Sequence, residues 1–427
     1  MARKYIISFL GTSPSDRYYE YIYQNKSAKG RVFAEALKDL VEFDRMFVCI
    51  TEGARDTTWK IVASLNDNRI EDINITDGMN ESELWSNFNK ITDKFNQGDE
   101  VIFDITHGLR SLPFLVFLFA AYLKVAKQVK IASVLYGVLE KRQTSNNSDI
   151  AGVIPVVELE AFVSMLDWMS ATQRFVNLGD GNGLAQLLRT VAVLDLDLKF
   201  TVDQTADAIE QVSNALIYIR PMEVMKSVAQ LNDLIPKLAA TQGGDSPQLQ
   251  PFLLLCDQII DRYQNLALAQ PFIKNNLQQN LQCQLQMMSW YQEHQQQVKS
   301  IMLGRELFVS ILMYWQGEQN IFDYKSRKPA ENNLNSQGNK GNTEFDRFTD
   351  SQKIKDTWKK ATNLRNDFAH SGMSNNPESI NNLKQNIDRV IEEIKTCLQD
   401  FLNAAIDRPR HRLAPPKLRS SSSNPQP

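Results

Sequence analysis

Short apolar runs alternate with longer amphipathic segments along the first third of the chain. Compact runs rich in β-branched side chains, the last of them a short candidate edge strand, lie at 5–10, 45–51, 100–105, 130–137 and 154–157. Nearly continuous apolar runs of this length are typical of strands buried on both faces of a sheet. Segments with helical spacing separate them, at 31–40, 57–65, 81–95 and 112–126. The alternation predicts a parallel sheet with helices on both sides.

The strand pattern fades after about residue 159, and helical spacing takes over. It predicts helices at 201–219, 223–238, 251–266, 301–315, 351–371 and 377–405. The glutamine-rich segment 274–297 has apolar residues spaced mostly by four, which predicts a surface helix. The polar segment 325–349, rich in Asn, Lys and Gly, predicts a mobile loop.

These patterns predict four regions in the 427-residue chain, which is too long for one typical core. We expect a Rossmann-like α/β domain over 1–157, a helical linking region over 158–300 and an all-α domain over 301–407. Earlier helices of the linking region are expected to contribute to the all-α domain. The basic, Ser- and Pro-rich residues 408–427 predict a disordered tail.

Charge and cysteine content restrict the class of protein further. The formal net charge is −3, so any nucleic-acid contact must come from a local patch. The four cysteines are far apart, with no metal-ligand spacing and no disulfide framework, which fits a reducing compartment. The longest apolar stretch, 112–123, is too short to span a bilayer, and the N-terminal apolar run ends at Gly11. We therefore expect a cytoplasmic protein without a membrane segment.

Two polar loops follow two of the predicted strands. Gly11-Thr12-Ser13-Pro14 follows the first strand, and residues 104–111 (DITHGLRS) end the third and open the next helix. Parallel strands end at one edge of a sheet, so the loops should lie together. Hydroxyls, a histidine, an arginine and the unpaired N–H groups of a helix start suit an anionic ligand. The alternative is that Asp104, Thr106 and Ser111 only cap a helix.

The string DITHGLRS, about ninety residues after a GTSP turn, resembles the signature of CARF domains, the sensor domains of CRISPR-associated proteins. The resemblance implies a Rossmann-like domain that dimerises and binds a cyclic oligoadenylate across the two-fold axis, with cyclic tetra-adenylate as the expected activator. It implies that Asp104 holds the loop. The ligand contacts that it implies are Gly11, Thr12, Ser13, Thr106, His107, Gly108 and Arg110.

A second constellation stands near the C-terminus, in residues 364–372 (LRNDFAHSG). On a helix, an apolar stripe faces the core, Asn366 and His370 are neighbours on the other side, and Arg365 flanks the stripe. Gly372 can end the helix. Histidine moves protons near neutral pH and arginine pairs with phosphate, which predicts a phosphodiester site. The alternative is an ordinary solvent-facing histidine.

The run RNDFAH resembles the R-[polar]-x3-H signature of HEPN ribonucleases, and residues 304–308 resemble the upstream helix of that family. The resemblance implies that Arg365 holds the scissile phosphate, that His370 transfers the proton, and that Asn366 orients His370 or contacts RNA. Dimerisation would bring two sets into one cleft. Cleavage of single-stranded RNA would use the substrate's own 2′-OH and leave a 2′,3′-cyclic phosphate, without a metal or a cofactor.

The two resemblances in this order imply a cyclic-oligoadenylate-activated endoribonuclease of type III CRISPR defence, at least a homodimer. One alternative is a non-catalytic, ligand-responsive regulator. Another is a ring nuclease, in which His107, Thr106 and Arg110 assist cleavage of the cyclic ligand itself. A nicotinamide-dependent oxidoreductase is disfavoured because the chain has no GxGxxG fingerprint, and the GxxxxGK[ST] loop of nucleotide hydrolases is missing too.

Overall fold

The computed structural model describes residues 2–107, 112–143, 149–241, 246–318, 320–336, 345–347, 349–373 and 379–407. The chain divides after Asp167 into two compact units, called the α/β unit and the helical unit below. The predicted order, an α/β domain followed by an all-helical domain, is confirmed.

The α/β unit contains one eight-stranded sheet. Its strands are β1 (Lys4–Phe9), β2 (Tyr18–Tyr23), β3 (Lys26–Gly30), β4 (Arg45–Ile50), β5 (Ile70–Asn74), β6 (Glu100–Asp104), β7 (Lys130–Gly137) and β8 (Ile150–Glu158). Its helices are α1 (Phe33–Leu40), α2 (Glu52–Arg55), α3 (Thr58–Ala63), α4 (Glu81–Thr92) and α5 (Leu112–Ala126).

The sheet is parallel at its centre and mixed at one side. The strand order is β3-β2-β8-β7-β6-β1-β4-β5, and the five strands from β7 to β5 are parallel. Strand β8 is antiparallel to β7, and β2 and β3 form an antiparallel hairpin. A wholly parallel sheet was therefore wrong for this side. The sequence pattern also missed β2, β3 and β5, which are half-exposed and carry too few consecutive apolar residues.

The order of the strands creates a topological switch point between β1 and β6. The chain first forms the β2–β3 hairpin, which lies beyond β8 in the sheet. Of the parallel strands, β4 and β5 are then added on one side of β1, and β6 and β7 on the other. Ligands of open α/β sheets bind beyond the carboxyl ends of the strands at such a point. The loops after β1 and β6, both singled out by the sequence, leave the sheet there.

Side chains of β1 alternate between two buried layers, as expected for a central strand. Tyr5, Ile7 and Phe9 pack with apolar residues of α4 and α5 on one face. Ile6, and Leu10 directly after the strand, pack with α1 and α3 on the other. The sheet thus lies between two layers of helices, which keeps the carboxyl ends of its strands in fixed positions.

The helical unit has one large hydrophobic core, whose buried residues run from Trp168 to Ala405, and a separate small cluster around Met225, Leu268 and Cys283. The predicted linking region and all-α domain both contribute to it. The helices are α6 (Glu160–Leu178), which crosses the division, and then α7 (Asn182–Thr190), α8 (Leu196–Ile217), α9 (Pro221–Ala240), α10 (Gln250–Leu253), α11 (Cys256–Tyr263), α12 (Leu277–Glu293), α13 (Gln297–Trp315), α14 (Tyr324–Asn335), α15 (Ser351–Ala369) and α16 (Ile380–Asp407).

The glutamine-rich helix α12 is buried, so its prediction as a surface helix was wrong. Its apolar residues enter the core, and two of its polar side chains are buried as well. Gln284 donates a hydrogen bond to Asn280 at 2.6 Å, and Asn280 donates to the carbonyl of Pro271 at 2.8 Å. Amide side chains that satisfy one another and the backbone can be buried at little cost.

The predicted mobile loop at 325–349 was also wrong in part, because α14 occupies 325–335, nearly half of the segment. Asp323 accepts a hydrogen bond from the Ser326 N–H at 2.9 Å and caps the helix. Arg327 pairs with Glu306 of α13 at 2.8 Å. A charged residue of the segment predicted to be a mobile loop thus binds a neighbouring helix. Residues 337–344 and 348 lie outside the described residues, as does the predicted tail, 408–427.

The four cysteines are free and buried, one in the α/β unit and three in the helical unit; they are Cys49, Cys256, Cys283 and Cys397. Burial raises the pKa of all four thiols. In the part of the chain that is described, no helix is long and apolar enough to cross a membrane.

Candidate functional site

Asp104 organises the loop that follows β6. It lies directly opposite Ser8 in the parallel β1–β6 pair, and the Ser8 hydroxyl donates to its carboxylate at 2.5 Å. The Thr106 N–H donates to the other carboxylate oxygen at 2.8 Å. Asp104 is fully buried, and this burial raises its pKa to about 6 against the opposing effect of the two hydrogen bonds. Asp104 therefore fixes the backbone on which His107 stands.

The loops after β1 and β6 touch at Gly11. A Cβ atom built on Gly11 would lie 2.9 Å from the carbonyl oxygen of His107, so only glycine allows this approach. The carbonyl of Gly11 accepts a hydrogen bond from the Thr58 hydroxyl at 2.6 Å. Thr12 and Ser13 are exposed beside it. The segment after β4 thus forms a third side of the site, beside the loops after β1 and β6. In the sequence, only its position after a predicted strand indicated this.

The predicted ligand residues differ in their exposure. Thr106 is only 8% exposed, and its hydroxyl accepts a hydrogen bond from the Gly137 N–H at 2.9 Å. The Thr106 side chain is therefore buried and bonded to β7, whereas Thr12 and Ser13 face solvent. Gly108 and Arg110 lie outside the described residues.

His107 is half-buried at the rim of this site. Its Nε2 atom lies 3.4 Å from the hydroxyl oxygen of Tyr21 on β2. Burial lowers the pKa of His107 to about 4, so the ring is neutral near pH 7. Tyr21 was not among the residues predicted for the site, because β2 itself was not predicted.

The C-terminal candidate residues lie at the end of α15. The first part of this helix is buried through Ile354, Trp358 and Ala361. Towards its end, Arg365 is half-buried, and Asn366 and His370 are exposed. Asn366 and His370 thus lie on the solvent-facing end of α15, while the apolar residues of its first part hold the helix in the core.

A capping motif ends α15 at His370. The Gly372 N–H donates to the carbonyl of Asp367 at 3.0 Å, and the Ser371 N–H donates to Phe368 at 3.1 Å. Ser371 and Gly372 have φ values of 56° and 65°. This is a Schellman motif. The left-handed residue directly after the cap is Ser371, and Gly372 is the second one.

The guanidinium of Arg365 donates a hydrogen bond to the side-chain oxygen of Asn366 at 2.9 Å. Within the described residues no hydrogen bond joins the side chains of Asn366 and His370. Asn366 therefore orients the arginine in this structure. A guanidinium fork can bind a phosphodiester and an imidazole can move a proton, and the end of α15 carries one of each.

Two residues outside the motif support α15 from below. The guanidinium of Arg305 stacks 4.8 Å from the centre of the Trp358 ring. The indole N–H of Trp358 donates to Asn335 of α14 at 2.8 Å. Spacing along the chain gives no signal for such contacts between distant helices. Among the described residues, no group of three or more His, Cys, Asp or Glu side chains could hold a metal ion.

Comparison with known proteins adds evidence from the middle of the chain. Residues 164–289 match the family model described as CRISPR-associated protein MJ1674, second domain. The CRISPR-associated protein MJ1674 of Methanocaldococcus jannaschii is 28% identical over 114 residues, which are 26% of this chain and only 17% of that relative. The segment matched by the family model contains neither DITHGLRS nor RNDFAH, so it is evidence independent of both motifs.

Csm6 of Enterococcus italicus, solved in complex with cyclic hexa-2′-fluoro-hexa-dAMP, aligns with 95% of this chain and 94% of its own at 13% identity. The TM-score is 0.35, which does not establish a common fold. The family model and the curated relative nevertheless agree with the kind of protein that the two motifs predicted. Residues 164–289 are therefore similar to a domain of a CRISPR-associated protein, and they lie in a chain with an α/β domain followed by a helical domain.

Proposed function

We propose that this chain is a cyclic-oligoadenylate-activated, metal-independent endoribonuclease that cuts single-stranded RNA in type III CRISPR defence. The observation that supports the proposal is that Arg365, Asn366 and His370 all lie at the end of α15, where Asn366 accepts a hydrogen bond from the guanidinium. The relationship to CRISPR-associated proteins and the resemblance of both motifs support it.

The chemistry follows from the residue types. The substrate's 2′-OH attacks the adjacent phosphorus, the bond from phosphorus to O5′ breaks, and the products are a 2′,3′-cyclic phosphate and a 5′-OH. His370 takes the proton from the 2′-OH, and His370 of a second copy supplies one to the leaving O5′. Arg365 neutralises the phosphate as charge develops. DNA lacks the 2′-OH and is not a substrate.

The sensor site is the switch-point edge of the α/β unit. Cyclic oligoadenylates carry phosphodiesters, and the exposed Thr12 and Ser13 offer hydroxyl donors there. Helix α5 begins after the second loop, with its N-terminus towards the same edge. Binding must favour the active arrangement of the helical unit through differential contacts, as in any allosteric activation.

Helix α5 supports pairing of two copies through the α/β unit. Its 15 residues include one charged side chain, Lys124, which pairs with Asp167. Yet Leu118, Tyr122 and Val125 on one face are 44%, 44% and 83% exposed. A helix that is apolar all round is normally covered. Since α5 follows the His107 loop, a second copy on this face brings two sensor loops to one axis.

We therefore expect Val125→Glu to convert a dimer into a monomer, because the exposed side chain adds a charge to the face without disturbing the fold. Light scattering coupled to size-exclusion chromatography measures the mass. Leu194→Glu, at a residue 92% exposed in the helical unit, is the matched control and should leave the dimer intact. A dimer that survives Val125→Glu would place the contact elsewhere.

The function itself is tested with labelled single-stranded RNA in EDTA, with and without cyclic tetra-adenylate or cyclic hexa-adenylate. We expect cutting only with a cyclic ligand. Arg365→Ala and His370→Ala should each reduce it by about 10²-fold or more, because each removes transition-state stabilisation or proton transfer. Gln352→Ala, at the opposite end of α15, is the control. Ligand binding without any cutting would instead support the non-catalytic regulator.

A further inference from the structure

Tyr21 is held rigidly in the middle of the β2 strand. It pairs with Ala28 of β3 on one side and with Ile154 of β8 on the other. Its side chain is fully buried, and its ring centre lies 4.9 Å from that of Phe33. A residue paired on both sides and packed on an aromatic ring has one position for its hydroxyl.

That hydroxyl reaches the sensor loop through a gap left by Gly137. A Cβ atom on Gly137 would lie 3.0 Å from the Thr106 side chain and 3.5 Å from the Tyr21 ring. The phenol passes this point, and its oxygen lies 3.4 Å from Nε2 of His107. Strand β2, at the far side of the sheet, thus places a polar group directly behind the loop after β6.

Both rings are neutral near pH 7, so their protonation states allow a hydrogen bond in either direction, and the partners of the Tyr21 hydroxyl decide between the two. Among the described residues that hydroxyl has no acceptor other than Nε2 of His107, so its proton is satisfied when the phenol donates. Burial, with a further contribution from Asp104, raises the pKa of Tyr21, so its hydroxyl keeps its proton. The neutral imidazole of His107 has one nitrogen that accepts and one that donates. When the phenol donates to Nε2, the imidazole proton is on Nδ1. None of the described residues pairs with Nδ1 of His107.

We propose that Tyr21 is a positioning residue of the sensor site, whose hydroxyl donates to Nε2 of His107 and so presents Nδ1–H as a neutral donor to a phosphodiester oxygen of the ligand. This inference rests on the proposed sensor function for its ligand. The Tyr21–His107 arrangement itself can be tested without any ligand. A neutral donor binds a phosphate oxygen while avoiding the cost of holding a cation in a partly buried place.

The first experiment reads the tautomer of His107 by ¹⁵N NMR in the protein without ligand. We expect a protonated Nδ1 and an unprotonated Nε2 at pH 7. Tyr21→Phe should release the ring into a mixture of both tautomers, because the donor to Nε2 is lost. Tyr19→Phe is the matched control, since Tyr19 is on the same strand with its ring 6.4 Å from that of Tyr21. A protonated Nε2 in the wild type would overturn the proposal.

The second experiment measures binding of cyclic tetra-adenylate and cyclic hexa-adenylate by calorimetry. Tyr21→Phe should weaken binding about 5- to 10-fold, the effect of one neutral hydrogen bond, and Tyr19→Phe should not. His107→Asn should retain more binding than His107→Gln, because the Asn amide nitrogen lies near the position of Nδ1 and that of Gln near Nε2.

The outcomes separate the two levels of the argument. The role of Tyr21 would be refuted if Tyr21→Phe bound the cyclic ligand as tightly as the wild type does. It would also be refuted if His107→Gln retained more binding than His107→Asn. Either result would leave the sensor function intact. If the wild-type protein binds neither cyclic tetra-adenylate nor cyclic hexa-adenylate, both the sensor function and the role of Tyr21 in ligand binding are refuted, whichever tautomer His107 adopts. The expected tautomer, its loss in Tyr21→Phe and weaker binding together establish the proposal.

Discussion

At the scale of single residues, the end of α15 depends on two consecutive left-handed positions. Ser371 is in a conformation that glycine adopts more easily, so Ser371→Gly should stabilise the helical unit by about 0.5–1 kcal/mol. Gly372→Ala should destabilise it by about 1 kcal/mol, and this cost is conformational because a Cβ there meets no atom within 4 Å. Urea unfolding measures both. Equal effects of the same sign would contradict the capping motif.

His107 gives the α/β unit a calculable pH dependence. The pKa of its imidazole in the folded protein is about 4, below the ordinary value of about 6.5, so the free energy of unfolding depends on pH. Between these values the unfolded chain takes up a proton and the folded one does not, so the stabilisation is present above pH of about 6.5 and lost as pH falls towards 4. Because the ring is half-buried, we expect the wild type to lose about 1–2 kcal/mol more than His107→Gln over this range.

The measurement is the free energy of unfolding in urea at several pH values for both proteins. Asp104, whose pKa is raised to about 6, titrates in the same range but is present in both, so its contribution cancels in the comparison. Identical pH profiles for the wild type and His107→Gln would mean that the imidazole is not buried as a neutral group.

At the scale of helices and strands, α14 is the element that most needs a test. Asn335 accepts the indole N–H of Trp358, a residue only 2% exposed. Asn335→Ala leaves this donor unpaired and should cost about 1 kcal/mol, measured by thermal or urea unfolding. Asn332→Ala is the matched control, with the same exchange on an exposed position of α14. Equal stability of the two variants would argue against the contact.

Elements with dense apolar patterns could be predicted from the sequence, and elements held by distant partners could not. The bounds of α5 agree with the prediction because almost every residue in it is apolar. Strand β2 was not predicted because Tyr21 is buried only by the pairing of this strand with β3 and β8, which are distant in sequence or were not predicted themselves. Helices α12 and α14 were misread because buried amides and ion pairs look, along the chain, like a solvated surface.

The candidate sites follow the same division. The loops after β1 and β6 could be expected to meet, since parallel strands end at one edge, and Gly11 lies against His107 as that rule implies. The residues that position the predicted ones, such as Tyr21, Thr58 and Asn335, come from other elements. Only folding brings them near, so spacing along the chain carries no trace of them.

At the scale of the whole molecule, each unit has its own hydrophobic core, so we expect two calorimetric unfolding transitions. A cyclic oligoadenylate at 100 times its Kd should stabilise the α/β unit by about 2.7 kcal/mol through binding to its folded state alone. A linear oligoadenylate is the control. Gly372→Ala, which lowers the transition of the helical unit, assigns the two peaks. A shift confined to the helical transition would contradict a sensor in the α/β unit.

The buried cysteines turn this division into a built-in reporter of local opening. A thiol reagent modifies the thiolate, and none of the four sulfur atoms can react until its surroundings open. The rate at Cys49 therefore records how often the α/β unit opens, and the rates at Cys256, Cys283 and Cys397 record the helical unit. The rates of thiol modification therefore report separately on the opening of each unit. A ligand that slows modification in only one unit reveals where it binds, without any added label.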